Sequence, residues 1–132
     1  VAEHDGYARM VDPVVHRRTV TFEKPTRRIE IMDGFCGPAG ARKAHELTWT
    51  FIFHPACSLE LNNEGCLIHT SRQRLQFFAP SRYPEGDRLP VDMKIEQGWV
   101  SPRYGIREKA PVLRWRWQGA LPLTVLVALY PN

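Results

Sequence analysis

The sequence contains no run of apolar residues approaching the roughly 18 to 20 that a membrane-spanning helix needs. Its first residues, Val1-Ala2-Glu3-His4-Asp5-Gly6-Tyr7, show no charged-then-apolar leader. The compartment is therefore left open. A start without Met, in what reads as a strand region, gives the expectation of a fragment or cut piece of a longer protein. Cysteine is scarce: Cys36, Cys57 and Cys66 cannot all pair within one chain, and no Cys-x-x-Cys occurs, which argues against a structural zinc site. Two alternatives stand for them, a Cys57 to Cys66 bridge if the chain is secreted, and three idle thiols. The five His (His4, His16, His45, His54, His69) form no His-x-His or His-x-x-x-His, and no Asp or Glu stands near one in a ligand spacing beyond the adjacent Asp5, so neither a metal site nor a cofactor is expected. Gly-x-Ser-x-Gly is absent, and the Cys lie in no recognised nucleophile context, so a self-sufficient hydrolase is not expected. Amphipathic helix is lacking too: only Ala39 to Leu47 holds helix formers, and the strand pattern from His45 cuts it short.

What is present fits one domain over residues 1–132, since this length suits a single core. Composition is 43% hydrophobic and 24% charged, with four Trp, four Tyr and six Phe, too apolar for a disordered segment. Eleven Pro and nine Gly fall mostly between apolar runs, where they punctuate many short elements. Net charge is +4, and fourteen of the eighteen basic residues are Arg, the side chain suited to bidentate binding of carboxylates and sulfates. The Arg are spread along the chain and alternate with apolar positions, as solvent-facing strand residues do. No basic stripe or nucleic-acid motif is present, and nucleic acid is not expected as a partner.

The dominant period is two. In His45 to His54, Leu47, Trp49, Phe51 and Phe53 share one side, and in Val14 to Phe22 the residues Val14, His16, Arg18, Val20 and Phe22 fall together. Arg28 to Met32 reads as a strand closed by turns at Asp33-Gly34 and Gly37-Pro38-Ala39-Gly40. Ser58 to Leu61 and Cys66 to Thr70 read as a hairpin, Leu75 to Phe78 as its continuation, and Ala79 to Pro90 as a loop. Val91, Met93 and Ile95 share a face, as do Leu113, Trp115 and Trp117 within Val112 to Gln118, while Leu121 to Tyr130 is apolar enough to be central in its sheet, with Pro122 confined to its start. About eight or nine short strands must bury their apolar faces against one another, which predicts an all-β, antiparallel two-sheet sandwich. Leu47, Trp49, Phe51, Phe53, Leu123, Val125 and Val127 are the expected core.

Two segments are distinctive: His4-Asp5-Gly6-Tyr7-Ala8-Arg9 leading into Val14-Val15-His16-Arg17-Arg18-Thr19-Val20, and Gly98-Trp99 with Ser101-Pro102-Arg103-Tyr104-Gly105, followed by a final Leu129-Tyr130-Pro131. In this order they resemble the C-terminal region of the heparinase II/III-like polysaccharide lyases, over nearly the whole chain from His4 to Pro131. The resemblance implies a large bacterial parent enzyme with an N-terminal α/α toroid and a C-terminal antiparallel β-sandwich region, cleaving acidic glycans by β-elimination. In that chemistry a base removes the proton α to a uronic carboxylate, an acid assists the leaving oxygen, and Tyr and His commonly share these tasks. The family's catalytic residues, and the His and Asp ligands of its structural zinc, are expected to lie before this chain begins. No catalytic residue is therefore carried over, and the chain alone is expected to be inactive. A periplasmic or extracytoplasmic site suits the parent.

The matching residues admit two readings. His4, Tyr7, His16 and Arg18 can face the glycan cleft as substrate-binding residues, Arg18 meeting a carboxylate or sulfate in a weak contact that fades with salt. Equally, Tyr7 can close a strand corner while His16 and Arg18 hydrogen-bond within a polar strand face. Trp99 and Tyr104 can stack on sugar rings or belong to a loop anchored by a buried Trp. The leading expectation is a non-catalytic module that supports the toroid and lines one wall of the cleft, with acidic polysaccharide and the toroid as partners. An autonomous carbohydrate-binding module is the alternative, with Trp115 and Trp117 as candidate stacking residues, although their side of the strand favours core packing. A protein-interaction domain with no glycan role is a third.

Overall fold

The computed structural model describes residues 1–37 and 44–132. Among these every regular element is a strand, eleven in all. The larger sheet runs in the order β1 (Ala2–Tyr7), β2 (Val14–Glu23), β3 (Arg28–Cys36), β11 (Leu123–Pro131), β7 (Arg74–Phe78), β6 (Gly65–His69), β5 (Ser58–Asn62), with the short β8 (Ser81–Arg82) also on β11. The smaller sheet has the order β4 (Ala44–Ile52), β10 (Ile106–Ala120), β9 (Lys94–Arg103). Every pairing is antiparallel. The expected all-β sandwich is thus what forms, with more strands than the eight or nine anticipated because β1 and β8 carry no apolar alternation to announce them.

Period-two patterning builds the core. Leu47, Trp49 and Phe51 of β4 stand opposite Trp117, Trp115 and Leu113 of β10, so one face of the small sheet is nearly continuous aromatic and aliphatic surface. It meets Phe35, Phe77, Leu123, Val125 and Val127 of the large sheet. Ring contacts cross the interface, Phe35 to Trp49 at 5.4 Å, Phe51 to Phe77 at 5.2 Å and Phe77 to Trp115 at 5.8 Å. Trp49, Leu123, Val125 and Val127 are buried, and Leu47, Phe51 and Phe53 are half-buried against them. Trp115 and Trp117 lie in this core, which removes them as sugar-stacking candidates.

Three local expectations give way. Asp33-Gly34 is no turn: β3 continues to Cys36, with Asp33 paired across the strands with Arg18. The local turn preference of Asp and Gly is overridden by donors that converge on the carboxylate from three side chains. Val91 and Met93 precede β9 in irregular chain, where Met93 and Leu89 enter the core while Ile95, opposite Leu113 on the edge strand, stays 40% exposed. Alternation in extended but unpaired chain mimics a strand. The segment around Ser101-Pro102-Arg103-Tyr104-Gly105 is a β-hairpin rather than a loop, closed where Gly105 takes φ 76°, a conformation that L side chains disfavour. Of the turn expected at Gly37-Pro38-Ala39-Gly40 only Gly37 is described, and most of the helix-forming stretch after it lies outside the described residues. The Cys57 to Cys66 bridge is not formed: Cys36 is exposed, Cys57 half-buried and Cys66 buried, all as free thiols. Burial pushes the Cys66 thiol up from its ordinary range.

Two features of the architecture decide which surfaces stay open. Three strands cannot cover the inner face of a sheet twice as wide, so β2 runs out from under its neighbour: Val14 is buried, while Val20 and Phe22, on the same face by alternation, are 55% and 56% exposed. At the opposite side, β4 pairs with β10 only as far as Val112, so β9 and β10 continue beyond it as an arm held mainly by each other. Pro111 stands at that departure, with its carbonyl accepting from Phe53 N at 3.0 Å.

Candidate functional site

Where β2 leaves the cover of the small sheet, a cleft of about 520 Å³ opens between the two sheets. Tyr7, Asp12, Val14, His16, Arg18 and Phe35 line it from the large sheet and the turn after β1, and His45 to Thr50 line it from β4. Three of the four sequence candidates, Tyr7, His16 and Arg18, meet there. His4 stands beside them rather than in the lining, its ring 5.2 Å from Tyr7 and 5.5 Å from His16, and its Nδ1 accepts from Gly6 N at 3.1 Å. The pairing of β1 with β2 brings this about, since His4 and His16 are directly opposite in register. His16 also stacks on Phe35 at 4.5 Å, and Phe35 meets Trp49, so a line of rings leads from the exposed Tyr7 into the core.

Behind the lining residues His16, Arg18 and Trp49 lies Asp33, 1% exposed. Arg18 grips it with two bonds, Nε to Oδ1 at 2.6 Å and Nη2 to Oδ2 at 2.7 Å, the bidentate geometry that guanidinium and carboxylate planes favour. Trp49 Nε1 donates to Oδ2 at 3.0 Å from the other sheet. His16 Nε2 lies 2.8 Å from Oδ1 and donates its hydrogen, because an ionised carboxylate only accepts. Burial by itself pushes Asp33 up, but the hydrogen bonds from Arg18 and His16, the Arg18 charge and the Trp49 bond outweigh it and hold the carboxyl below its usual range. Reciprocally, the hydrogen bond to Asp33 raises Arg18, against the opposing effect of its partial burial. Arg18 also lies over the Phe51 ring at 5.6 Å, while its side chain remains 38% exposed toward the cleft.

This pairing alters what the cleft offers a ligand. The sequence presented Arg18 as either a cation meeting an anion at a cleft or a hydrogen-bonding member of a polar strand face. It has a buried partner and an open side at once. Its charge is offset by Asp33, and Asp12 and Glu46 add carboxylates to the lining. His45 Nε2 stands 2.9 Å from Asp12 Oδ2 without the alignment of a hydrogen bond. The outer guanidinium N–H groups and the imidazoles thus suit hydroxyl and ether oxygens better than a free carboxylate. His16 with Asp33 does not fit a metal centre, since four donors already occupy the carboxylate and a guanidinium stands where a cation would approach. Among the described residues no group of three or more His, Cys, Asp and Glu is arranged to hold a metal ion.

Asp33, Asp12 and His45 are the site residues that sequence patterning missed. Ile29, Ile31 and Phe35 share one face of β3, and continuing their alternation through Asp33 puts that carboxylate on the face that β2 lines with His16 and Arg18. Nothing in the spacing links Asp12 to His45. Trp99 and Tyr104 lie elsewhere, on the β9–β10 arm, 44% and fully exposed, so Trp99 is no buried anchor.

No curated protein matches the chain. A family model described as "Heparinase II/III-like, C-terminal" matches residues 1–119, taking in the His4 to Tyr7 stretch, the His16-Arg17-Arg18 strand and the β9–β10 hairpin, and ending before β11. With nine-tenths of its length matched, the chain belongs to the heparinase II/III-like C-terminal domain family.

Proposed function

We propose that this domain is the non-catalytic β module of a heparinase II/III-like polysaccharide lyase, covering and supporting an α/α catalytic half and lining one wall of its glycan cleft. The observation that carries this reading is the strip of inner sheet face left open beside the cleft. Val20 and Phe22 each remain more than half exposed in line with Arg18, where an independent sandwich would bury them. A second domain laid on that strip would close the Tyr7, His16 and Arg18 cleft into a groove. In such a groove the β-elimination of an acidic glycan takes its base and acid from the other half. Tyr7, His16 and Arg18 hold sugar hydroxyls, with His4 bracing His16. The uronic carboxylate is neutralised from outside the cleft, because Asp33 already takes the Arg18 charge.

The test combines turnover and binding. Pure chain with heparin, heparan sulfate or alginate should give no rise in ultraviolet absorbance from unsaturated product, whereas a uronate hexasaccharide should shift the backbone amide resonances of His16 and Arg18, and Arg18→Ala should abolish those shifts. Robust turnover lost on mutating His4 or His16 would place the active site in this chain instead. Absence of any β2 shift at millimolar sugar would remove the cleft wall from the reading.

A further inference from the structure

We propose that the β9–β10 arm is a second and separate binding site, for a carbohydrate segment bearing carboxylate or sulfate groups. This goes beyond the cleft reading and does not depend on it. Three observations converge on the arm. First, its cations are unspent. Arg103, Arg107 and Lys109 make no ion pair among the described residues, a state they share with other exposed cations such as Arg9, Arg72 and Arg116, so it is their grouping on one arm that sets them apart. Glu108, the only acidic residue between Gln97 and Pro111, points by alternation to the face opposite Arg107 and Lys109.

Second, the cations are organised around an aromatic. Lys109 is the direct cross-strand neighbour of Trp99, its Nζ lies 6.0 Å from the ring, and the Arg107 guanidinium sits over the same ring at 4.1 Å. Stacking fixes the guanidinium and leaves its edge N–H groups pointing outward, which lowers the ordering cost of meeting an anion. Arg107 and Lys109 are two residues apart on one strand, so their stems are separated by about 6.8 Å, within reach of charges on neighbouring sugar units. Third, the arm is stiff and open. Ser101 Oγ lies 2.9 and 2.8 Å from the carbonyls of Arg103 and Ile106 and can donate its one hydrogen to either, and Tyr104 is fully exposed at the tip.

The ligand chemistry comes from these features. A uronate or sulfated pyranose offers an anion for the guanidinium and ammonium and an apolar C–H surface for the open part of the indole. A nucleobase would compete for the same open part of the indole beside Arg107, so an oligonucleotide is the competing polyanion in the test. Membership of the heparinase II/III-like family agrees with carbohydrate as the polyanion.

The test tracks the Trp99 indole N–H resonance of the complete chain, titrated with a heparin hexasaccharide, a guluronate hexasaccharide, the neutral cellohexaose and an oligothymidylate of similar charge. Both anionic sugars should shift the signal, less so at high salt, and cellohexaose should not. Arg107→Ala with Lys109→Ala should weaken binding roughly tenfold, as expected for two exposed charge contacts. Arg72→Ala, at an exposed cation outside the arm and the cleft, should leave the Trp99 titration unchanged. The proposal is overturned by an unmoved Trp99 signal, by an equal response to cellohexaose, by tighter binding of the oligothymidylate, or by an equal loss in Arg72→Ala. Failure of the cleft reading would be seen separately, in the β2 amides.

Discussion

Arg18 and Arg107 carry the same charged group into opposite settings. The first is locked on a carboxylate buried behind a cleft wall, with further bonds from His16 and Trp49 converging on the same oxygens. The second lies on an aromatic ring at the surface, with its charge answered by no carboxylate among the described residues. Arg18 contributes to structure, and its charge is largely withheld from a ligand. Arg107 meets no carboxylate among the described residues, which leaves its charge available. A count of arginines therefore says little about polyanion binding until their partners are known.

The largest way to break this contrast is Asp33→Ala. It frees Arg18 and leaves the Trp49 N–H buried without an acceptor, and should cost about 3 kcal/mol, the range found when one member of a buried ionic cluster is removed. A urea unfolding midpoint measures it. A loss below about 0.5 kcal/mol would mean the cluster is worth no more than a surface pair. The same substitution should make uronate binding at β2 appear salt-sensitive, because Arg18 then presents an unneutralised charge.

The pH dependence of stability sharpens the contrast next. The Asp33 carboxyl is held low in the folded state, so its contribution is fully present above the unfolded carboxylate value of about 3.9 and is lost as pH falls through the lower folded value. Thermal unfolding across the acid range should therefore fall less steeply below about pH 4 in Asp33→Asn than in the parent chain. Arg107→Ala should follow the parent curve.

A smaller effect is expected from Trp49→Phe, which keeps most of the ring but removes the Asp33 donor. Its cost should be about 1 kcal/mol from the lost bond, with some addition from the smaller ring. Smallest of all, Arg107→Ala with Lys109→Ala should move the unfolding midpoint by no more than about 0.5 kcal/mol, as substitutions of exposed residues usually do. A drop of about 2 kcal/mol or more, well beyond that surface range and measured in the same urea series, would show that the arm's cations hold the fold rather than await a ligand.

Much of the fold was legible because burial on one face of a strand writes itself into the sequence at every second residue. Leu47, Trp49, Phe51 and Phe53 marked β4, and Leu113, Trp115 and Trp117 marked its partner, before any pairing was known. The same rule misled where extended chain alternates without pairing, at Val91 and Met93, and it was silent for β1, whose residues are all exposed. Of the cleft, Tyr7, His16 and Arg18 were legible through a family resemblance and one unusually polar strand face. Asp33 was missed because a local turn preference was weighed above the alternation that ran through it.

Periodicity, turn chemistry and composition by themselves determined that the chain is an all-β sandwich with an aromatic core, since these depend on each residue and its near neighbours. Which charges are spent and which remain free was decided only by tertiary structure. Arg18 meets Asp33 fifteen residues away and Trp49 Nε1 reaches the same carboxylate from the other sheet, while the register of β9 on β10 sets Lys109 beside Trp99. Electrostatic partners are chosen by proximity in space, and a linear pattern of period two carries no record of which strands lie side by side.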